Sequence, residues 1–346
     1  MGKNVIVTGG LGYIGSHAVI ALISSGYNPI IVDNLVTSKK SVLFRLEKIS
    51  ATKICFHEFD VRDSDKLGGI IRNSLPVALL HFAAFKSVPD SVVNPDKYYD
   101  NNVIGLLSVL KSISYSSIDR LVFSSSCTVY GNQVTDLGGY SEKLDLKPSS
   151  PYGKTKRICE DILTALTAGP SNASLKVGIL RYFNPVGAHV SGLIGDDPII
   201  EPSCLMPRIA QVASGRLNHL AIYGSDYATK DGTCIRDFVH VEDVAEAHVA
   251  SLNALEKTGS HVCNIGTGRG YSVLEVVNAF KRFTATEFEI KMDQRRDGDV
   301  PHAVADCRQA ARLLNWTAKR TLEDMCVSAW GWEKAYLNQT KSLGPK

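Results

Sequence analysis

The chain has 346 residues, 44% of them hydrophobic and 21% charged, which is typical of a globular protein large enough for two lobes with a cleft between them. The net charge is only +3, and both signs are dispersed along the chain, which argues against nucleic acid or a membrane surface as a partner. No apolar stretch approaches the roughly 18 residues that a transmembrane helix needs.

The eight cysteines are scattered, and no two of them form a Cys-x-x-Cys pair. The sequence therefore predicts neither a zinc site nor a thiol-redox motif, and no metal is expected. The N-terminal stretch MGKNVIVTGGLGYIGSH lacks the long apolar core and the cleavage site of a signal peptide. Free thiols in a reducing compartment are the expectation, so the sequence predicts a cytoplasmic location.

The first half of the chain alternates segments typical of strands with segments typical of helices. The predicted strands are NVIVTG (4–9), NPIIVDN (28–34), ATKICFHEFDV (51–61), PVALLHFAA (76–84), RLVFSSS (120–126) and KVGILRYF (176–183). The predicted helices lie at 13–26, at 103–116 and directly after Tyr152. Near-continuous apolar strands that alternate with helices predict a Rossmann-type, doubly wound parallel sheet with helices on both faces.

After Asn184 the pattern becomes less regular, with a loop rich in glycine, proline and aspartate. Further helix patterns fall at 205–215, 241–257 and 271–283. We predict a nucleotide-binding lobe at 1–183 and a smaller mixed α/β substrate lobe at 184–346 that covers the strand ends. Residues 234–260 are expected to pack back on the first lobe.

A glycine-rich loop, TGGLGYIG (8–15), follows the first predicted strand and opens the first predicted helix. Its glycines are spaced as Gly9-x-x-Gly12-x-x-Gly15. Such spacing permits a tight turn and lets a pyrophosphate approach the N-terminus of the helix. In this strand–turn–helix context the loop predicts a dinucleotide site.

An acidic residue, Asp33, ends the second predicted strand. A carboxylate at that position accepts hydrogen bonds from the adenosine ribose and repels a 2′-phosphate, so the pattern favours NAD over NADP. Lys39 and Lys40 nearby weaken that preference slightly. Asp60, at the end of the third predicted strand, is a candidate for the adenine region, and a plain loop acid is the alternative.

The stretch SSPYGKTK (149–156) places Tyr152 four positions before Lys156 at the start of a predicted helix. This spacing puts both side chains on one helical face, near the serines Ser124 to Ser126 that end the fifth strand. A phenol with a pKa near 10 is a poor base at pH 7. A lysine ammonium and a nicotinamide cation that lowered this pKa by about 3 units would make it a base, and a serine hydroxyl would assist it. A chance pairing of Tyr and Lys on one face is the alternative.

With these features the chain resembles the extended short-chain dehydrogenase/reductases and, among them, the UDP-hexose 4-epimerases. The motifs that carry the resemblance run in order along nearly the whole chain: TGGLGYIGSH, VDNL, HFAAFK, YYDNNV, FSSSCTVYG, SPYGKTK, LRYFNPVGAH, LMPRIAQVASG, DGTCIRDFVHV and RRDGDVP. The resemblance implies a tightly held NAD, a UDP-sugar substrate, a homodimer built from helices, and a role in galactose metabolism. It implies that UDP-glucose and UDP-galactose are interconverted by transient oxidation to a 4-keto sugar.

The resemblance also implies roles for individual residues. Tyr152 would be the base, Lys156 would set its pKa and contact the nicotinamide ribose, and Ser126 would be the hydroxyl partner. The implied cofactor contacts are Gly9, Gly12, Tyr13, Ile14, Gly15, Asp33, Asn34, Ser38, Asp60, Val61, Phe82, Ala83, Lys86, Asn101 and Phe183. The implied UDP-sugar contacts are Asn184, Leu205, Ala221, Ile222, Tyr223, Arg236, Arg296, Asp299 and Ala303.

Two arginines of that last group suit the diphosphate of a UDP-sugar. Arg236 and Arg296 each offer a planar fork of donors for phosphate oxygens. The alternative is a surface ion pair with the neighbouring Asp237 or Asp297.

The chain departs from the family pattern at three places. Cys127 stands where alanine is usual, and Ser203-Cys204 replace an asparagine pair, which removes an amide donor toward the substrate. Ala303 stands where some relatives carry a tyrosine against the sugar. A methyl group in place of a phenol ring leaves room, so we expect tolerance of UDP-GlcNAc and UDP-GalNAc.

Two other functions fit the same fold. A sugar-nucleotide 4,6-dehydratase needs an acid and a base at C5 and C6, and relatives with that activity carry an Asp-Glu pair where this chain has Cys127-Thr128. A non-catalytic, NAD-sensing binding protein is the second alternative. Such proteins can lose the tyrosine or the lysine, whereas this chain keeps both and Ser126.

Overall fold

A seven-stranded parallel sheet forms the centre of the computed structural model, which describes residues 2–114, 116–133, 139–169, 174–199, 204–296 and 299–342. In chain order the strands are β1 (Asn4–Thr8), β2 (Asn28–Asp33), β3 (Cys55–Glu58), β4 (Ala78–His81), β5 (Arg120–Ser126), β6 (Lys176–Tyr182), β7 (Asn184–Val186), β8 (Leu220–Tyr223), β9 (Ile235–His240), β10 (His261–Ile265), β11 (Gly270–Ser272), β12 (Ile290–Asp293) and β13 (His302–Ala303). The large sheet has the order β10-β6-β5-β4-β1-β2-β3. The strand order reverses between β1 and β4, the point at which open α/β sheets bind ligands at their carboxyl ends.

The helices cover both faces of this sheet and the second part of the chain. They are α1 (Tyr13–Ser24), α2 (Ser41–Ser50), α3 (Ser64–Ser74), α4 (Val88–Val93), α5 (Pro95–Tyr98), α6 (Gly105–Ile113), α7 (Pro151–Ala168), α8 (Leu205–Ala213), α9 (Val241–Thr258), α10 (Val273–Thr284), α11 (Arg308–Leu314) and α12 (Leu322–Ser342). A π-helical turn, Tyr99–Ile104, precedes α6, and a 3₁₀ turn, Cys127–Tyr130, follows β5. No helix in the described ranges is long and apolar enough to cross a membrane.

The apolar strands are buried because helices cover them on both sides. In β1, Val5 and Val7 belong to one core cluster and Ile6 belongs to the cluster on the opposite face, and none of the three is exposed. Alternate side chains of a strand point to opposite faces, so a continuous apolar run fills both layers. The predicted Rossmann-type fold class is confirmed.

The second part of the chain forms two small sheets and also returns to the large one. β9 pairs with β7, β11 and β13, and β8 pairs with β12, while α8, α10 and α12 pack around them. By contrast, α9 packs on α1 and on the large sheet, and β10 extends that sheet beside β6. The sequence analysis did not predict β10, whose five residues carry no periodicity of their own.

Two predicted elements differ most from the structure in their bounds. The strand predicted at 51–61 is limited to Cys55–Glu58, because only those residues pair with β2. The helix predicted at 103–116 begins earlier, as the π-helical turn at Tyr99, and ends at Ile113.

Candidate active site

The start of α7 places the predicted catalytic pair. The Ser150 hydroxyl caps the helix by accepting a hydrogen bond from the backbone N–H of Gly153 at 3.1 Å, and Pro151 occupies the first helical position. Tyr152 and Lys156 then lie one turn apart, with 7% and 4% of their surface exposed. Both side chains are thus withdrawn from water at the carboxyl end of β5.

Lys156 lies against the last residues of β5. Its Nζ donates to the backbone carbonyl of Ser124 at 2.7 Å and stands 4.9 Å from the centre of the Phe123 ring. The centre of the Tyr152 ring is 6.0 Å from the same Nζ. Burial lowers the pKa of Lys156 to about 8, so the ammonium is charged at neutral pH but close to losing its proton.

Ser126 ends β5 with its hydroxyl oxygen already used as an acceptor. The backbone N–H and the hydroxyl of Thr128 donate to Ser126 Oγ at 3.2 and 3.0 Å. The proton of Ser126 is therefore free to be donated elsewhere, and its hydrogen bond to Tyr152 acts to lower the pKa of that phenol.

Burial nevertheless dominates at Tyr152 and raises the pKa of its phenol above the ordinary value, and the neighbouring Tyr182 adds to the increase. The sequence argument included only the groups that lower this pKa and left out desolvation. In the protein alone the phenol is therefore neutral at pH 7. A phenolate at this position needs a further positive charge beside it.

A residue that the sequence analysis missed, Asn102, connects the loop after β4 to the catalytic helix. Its Oδ1 accepts from the N–H of Phe85 at 2.9 Å, and its Nδ2 donates to Thr155 Oγ1 at 3.1 Å. Thr155 Oγ1 in turn donates to the carbonyl of Tyr152 at 2.7 Å. The adjacent Asn101, which was predicted instead, donates to Asn102 Oδ1 at 3.0 Å. The paired asparagines of YYDNNV were the available signal.

The glycine loop requires glycine at two of its three positions for steric reasons. Gly9 has φ +69°, and a Cβ there would lie 2.6 Å from the backbone nitrogen of Ala83. A Cβ at Gly15 would lie 2.2 Å from the carbonyl oxygen of Gly9. At Gly12 a Cβ would meet only that same oxygen, at 3.3 Å, and otherwise open space.

That open space lies at the N-terminus of α1, which has no side-chain cap and no acidic residue in its first turn. Uncapped N–H groups and the positive end of the helix dipole suit a pyrophosphate. These residues fit a dinucleotide.

Asp33 is buried at the end of β2, with its carboxylate held by the protein. Oδ2 accepts from the N–H of Leu11 at 3.0 Å, and Oδ1 accepts from the N–H of Leu35 at 3.0 Å and from Ser38 Oγ at 2.8 Å. An ionised carboxylate has about four lone-pair sites, so it retains capacity for a ribose hydroxyl.

The two lysines beside Asp33 are both in ion pairs. Lys39 Nζ lies 2.6 Å from Asp197 Oδ1, and Lys40 Nζ lies 3.0 Å from Glu58 Oε2. Their charges are thus balanced within the protein, which fits the unphosphorylated ribose of NAD better than that of NADP.

Asp60 lies in the loop after β3, where Asn34 and Arg62 are its hydrogen-bond partners. It accepts from Asn34 Nδ2 at 2.9 Å and from Arg62 Nε at 2.9 Å. The hydrogen bonds from Arg62 are the largest influence and lower the pKa of Asp60 to about 2, so the carboxylate stays ionised.

Tyr13 and Lys86 meet at one side of the glycine loop. Lys86 Nζ lies 5.4 Å from the centre of the Tyr13 ring and donates to Asp196 Oδ1 at 3.3 Å. The Tyr13 hydroxyl donates to the carbonyl of Gly187 at 2.7 Å, so its ring closes the loop after β7 against α1. The other predicted cofactor residues are buried (Val61, Phe183) or partly buried (Ile14, Phe82, Ala83).

Arg236 on β9 is tied to the segment that follows β12. Its Nη1 donates to the carbonyl of Val300 at 2.7 Å, and its Nη2 lies 3.2 Å from Asp299 Oδ1. The alternative pair with Asp237 does not form, because consecutive residues of a strand point to opposite faces. Arg296 stacks on the ring of Tyr223, with the guanidinium carbon 3.7 Å from the ring centre.

Asp297, the alternative partner considered for Arg296, and Ser203 both lie outside the described residues. On β8, Ala221 and Tyr223 are partly exposed, whereas Ile222 is buried in the core cluster that contains Phe280. The side chain of Ile222 therefore points away from the other two, and only its backbone is able to serve a ligand on their side. Leu205 begins α8.

Ala303 on β13 is buried beside Arg236, its partner in the β9–β13 pairing. It belongs to a small core cluster with Phe183, Tyr130 and Tyr140. Nearby, Asn184 donates to the carbonyl of Asp237 at 3.1 Å. The described residues contain no group of three or more histidine, cysteine or acidic side chains arranged to hold a metal ion.

Comparison with known proteins identifies the family to which the chain belongs. The NAD dependent epimerase/dehydratase family matches residues 5–266 of the chain. UDP-glucose 4-epimerase of Bacillus subtilis (strain 168) is 43% identical over 339 residues, which are 98% of this chain and 99% of that protein. UDP-glucose 4-epimerase of Dictyostelium discoideum is 45% identical over 331 residues, 95% of each chain.

Solved structures resemble this one over nearly their whole length. UDP-glucose-4-epimerase from Stenotrophomonas maltophila, with bound NAD and formylated UDP-arabinopyranose, has a TM-score of 0.94 and 43% identity, covering 97% of this chain and 99% of that one. UDP-glucose 4-epimerase from Bifidobacterium longum, in complex with NAD+ and UDP, has a TM-score of 0.92 and 38% identity with the same coverage.

Proposed function

Because the chain belongs to the NAD dependent epimerase/dehydratase family, we propose that it interconverts UDP-glucose and UDP-galactose by inverting C4 of the hexose. The observation that carries the proposal is the meeting of Tyr152, Lys156 and Ser126 at the carboxyl end of β5, beside a loop that fits NAD. Relatives named UDP-glucose 4-epimerase, 42–45% identical over nearly the full chain, support the substrate. The reaction is an isomerisation, and it serves galactose metabolism.

NAD, which the glycine loop and Asp33 would hold, would supply a positively charged ring that lowers the pKa of the Tyr152 phenol and would accept the hydride of C4 reversibly. Tyr152 Oη accepts the proton of the 4-hydroxyl and later gives it back. Lowering the phenol pKa from its ordinary value near 10 to near 7 requires about 4 kcal/mol of differential stabilisation, and the burial of Tyr152 adds to that requirement. The Lys156 ammonium shares this stabilisation with that ring. Ser126 donates its proton to whichever oxygen carries the negative charge.

The nucleotide must stay bound while the 4-keto sugar rotates and presents its opposite face. Arg236 and Arg296 provide two guanidinium groups for the two phosphate charges of UDP. Arg236 is anchored through Asp299 and the backbone of Val300, and Arg296 is anchored by stacking on Tyr223. Anchored cations hold UDP at one end and leave the hexose free to rotate about its link to the diphosphate.

The residues that follow β5 argue against a 4,6-dehydratase. Burial raises the pKa of Cys127 to about 12, so it stays a neutral thiol, and Thr128 donates its hydroxyl proton to Ser126. Neither side chain supplies the acid and the base that elimination across C5 and C6 needs. The presence of Tyr152, Lys156 and Ser126 argues against a binding protein without catalysis.

We also propose that the 2-N-acetyl sugars UDP-GlcNAc and UDP-GalNAc are substrates. Ala303 presents a methyl group at the position implied to face the sugar, and its strand position next to Arg236 supports that placement. A larger side chain there would occupy the space of an acetamido group.

A homodimer formed through the α4–α6 region is proposed as the working assembly. Support comes from exposed apolar side chains that this region presents together: Val92, Val93, Tyr99, Ile104 and Leu107. A cytoplasmic location is proposed as well, because all eight cysteines are free.

The experiment that tests the proposed function supplies purified protein with UDP-galactose and no added NAD, and UDP-glucose is measured. We expect conversion, since the protein retains its own NAD. Tyr152→Phe should lower kcat by about 10²- to 10⁴-fold, as for loss of a general acid–base group, and still bind UDP-galactose. Tyr27→Phe, at an exposed hydrogen bond to Asn253, is the matched control and should convert normally. A folded wild type that binds UDP-galactose without converting it would contradict the proposal.

A further inference from the structure

Behind the catalytic pair lies a buried ion pair that the reaction described above does not use. Glu160 lies one helical turn beyond Lys156 on α7, and Arg181 lies on β6; their side chains are 4% and 6% exposed. Arg181 Nη2 and Nε donate to Glu160 Oε2 at 2.6 and 3.1 Å, and Nε also donates to Oε1 at 3.0 Å. A bidentate pair withdrawn from water in this way is geometrically well defined.

The same carboxylate also binds the strand that carries the catalytic serine. Ser125 Oγ donates to Glu160 Oε1, and Ser125 is the partner of Arg181 in the β5–β6 register. Ser125 directly follows Ser124, whose carbonyl accepts the hydrogen bond from Lys156. Glu160 therefore joins α7, β5 and β6. It binds Ser125, one residue from the Ser124 carbonyl that accepts the hydrogen bond from Lys156.

The titratable groups that face Lys156 are mostly neutral. They are Tyr152, Cys159 and Glu160 on α7 and His81 on β4. Burial lowers the pKa of His81 to about 3 and raises the pKa of Cys159 to about 12, so neither is charged at pH 7. Glu160 is, among the described residues, the anion that faces the ammonium.

Arg181 has acidic and phenolic neighbours of its own. Besides Glu160 it contacts the hydroxyl of Tyr130 at 3.0 Å and the backbone carbonyl of Glu142 at 3.4 Å. Its guanidinium also lies 5.1 Å from the centre of the Tyr130 ring. Both hydrogen bonds are donated by Nη1, the nitrogen of Arg181 that does not bind Glu160.

We propose that Glu160 and Arg181 are positioning residues that lock α7 onto β5 and β6 and keep the Lys156 ammonium charged beside Tyr152. A buried carboxylate one turn away stabilises the charged form of the lysine, which burial alone disfavours. Arg181 supplies the hydrogen bonds without which the carboxylate would be too costly to bury. The inference rests on the proposed function, since it explains how Lys156 serves Tyr152.

The test uses Glu160→Gln in the NAD-bound enzyme, a change that keeps the size of the side chain and removes its charge. The activity should fall at high pH as Lys156 loses its proton. We expect this limb of the kcat/KM profile to move down by roughly one pH unit, the size of shift that a nearby charge produces. A purely structural role would lower activity at every pH and leave the limb in place.

An ion pair at the other end of β5, in which the Glu256 side chain is 55% exposed, is the control. Arg120, also 6% exposed at its side chain, donates to Glu256 Oε1 at 2.6 Å, far along the strand from Ser126. Glu256→Gln should leave the limb where it is in the wild type. The double variant Glu160→Met with Arg181→Met replaces both charges by apolar groups and should fold even if Glu160→Gln does not.

The charge of Lys156 is also measurable without turnover, by NMR titration of its labelled ε-carbon, assigned with Lys156→Ala. We expect its midpoint to be highest in the wild type, lower in the double variant and lowest in Glu160→Gln, where Arg181 keeps its charge. A folded Glu160→Gln, or a folded double variant, with the wild-type midpoint overturns the inference. Absence of epimerase activity in the wild type would instead remove the proposed function and leave this titration readable.

Discussion

Burial acts on the two central residues of the site in opposite directions. It raises the pKa of the Tyr152 phenol and lowers the pKa of Lys156 to about 8. Burial disfavours the charged form in both cases, but only the phenolate needs a positive charge beside it to form at neutral pH. At neutral pH the protein alone therefore holds a neutral phenol beside a charged ammonium, and turnover should decline above about pH 8 as Lys156 loses its proton.

At Ala303 the account predicts a change in specificity. Ala303→Tyr places a phenol ring at the position proposed to face the sugar, so turnover of UDP-GalNAc should fall by at least about tenfold relative to UDP-galactose, within the range that steric discrimination supplies. The measurement is kcat/KM for the two substrates with the same preparation. Ala303→Ser, which stays small, should keep both activities. A wild type that does not convert UDP-GalNAc would contradict this prediction.

Residue types and spacing were enough to predict Tyr152, Lys156 and Ser126 as a group, but their partners depend on the fold. Arg236 pairs with Asp299 and not with the adjacent Asp237, because Asp237 points to the opposite face of β9 and binds the N–H groups of Thr267 and Gly268. Contacts of this kind join residues that are far apart in the chain, and no local pattern contains them. The predicted roles of these residues stay predictions.

At the scale of elements, the glycine loop limits what the β1–α1 connection tolerates. A Cβ at Gly15 would lie 2.2 Å from the carbonyl oxygen of Gly9. The nearest atoms all belong to the backbone, so no side chain is able to move aside and relieve the clash. Gly15→Ala should lower the free energy of unfolding by about 1–3 kcal/mol, as for overpacking, and reduce the NAD retained on purification.

The measurement for this prediction is denaturant unfolding together with the NAD released from precipitated protein. Gly331→Ala in α12 is the control, since a Cβ there meets no atom within 4 Å. Its helical position should make the change stabilising by about 0.5–1 kcal/mol. Equal effects of the two substitutions would contradict the account of the loop.

Long apolar runs in the sequence predicted the first six strands of the large sheet, whereas the shorter strands were not predicted. The first six strands lie where continuous apolar segments predict them, because burial on both faces leaves a strong signal. β10 was missed, since HVCNI is only five residues long and mixes apolar with polar side chains, and it pairs with the distant β6, as His261 does with Gly178. The small sheets of β7 to β9 and β11 to β13 have two to six residues per strand, too few for periodicity to identify.

For the whole molecule the apolar surface of the α4–α6 region predicts a dimer. Leu107 is exposed on α6 beside Ile104, and a charge at its position would be buried in the proposed interface. Leu107→Lys should therefore convert a dimer to a monomer in light scattering coupled to gel filtration, because an unpaired buried charge is strongly unfavourable. Phe44→Lys, at an apolar residue on α2 that is also exposed, should leave the dimer intact. A monomeric wild type would contradict the proposed assembly.

The chain itself links the two halves of the site. After forming β7 and β9, which carry Asn184 and Arg236, it returns to the large sheet through α9 and β10 and then leaves again for β11 to β13. Elements of the large sheet and elements of the small sheets are therefore interleaved along the sequence. The predicted domain boundary at residue 183 stays a prediction. After that residue the chain returns to the large sheet through α9 and β10.

The proposed function requires that C4 is inverted by transient oxidation on NAD that the protein carries. The most direct test supplies UDP-galactose labelled with deuterium at C4 to the purified protein, without added NAD, in ordinary water. The account predicts UDP-glucose that retains deuterium at C4, because the same hydride leaves and returns to the opposite face. Product that has lost its deuterium to solvent, or conversion that persists undiminished in Tyr152→Phe, would contradict it.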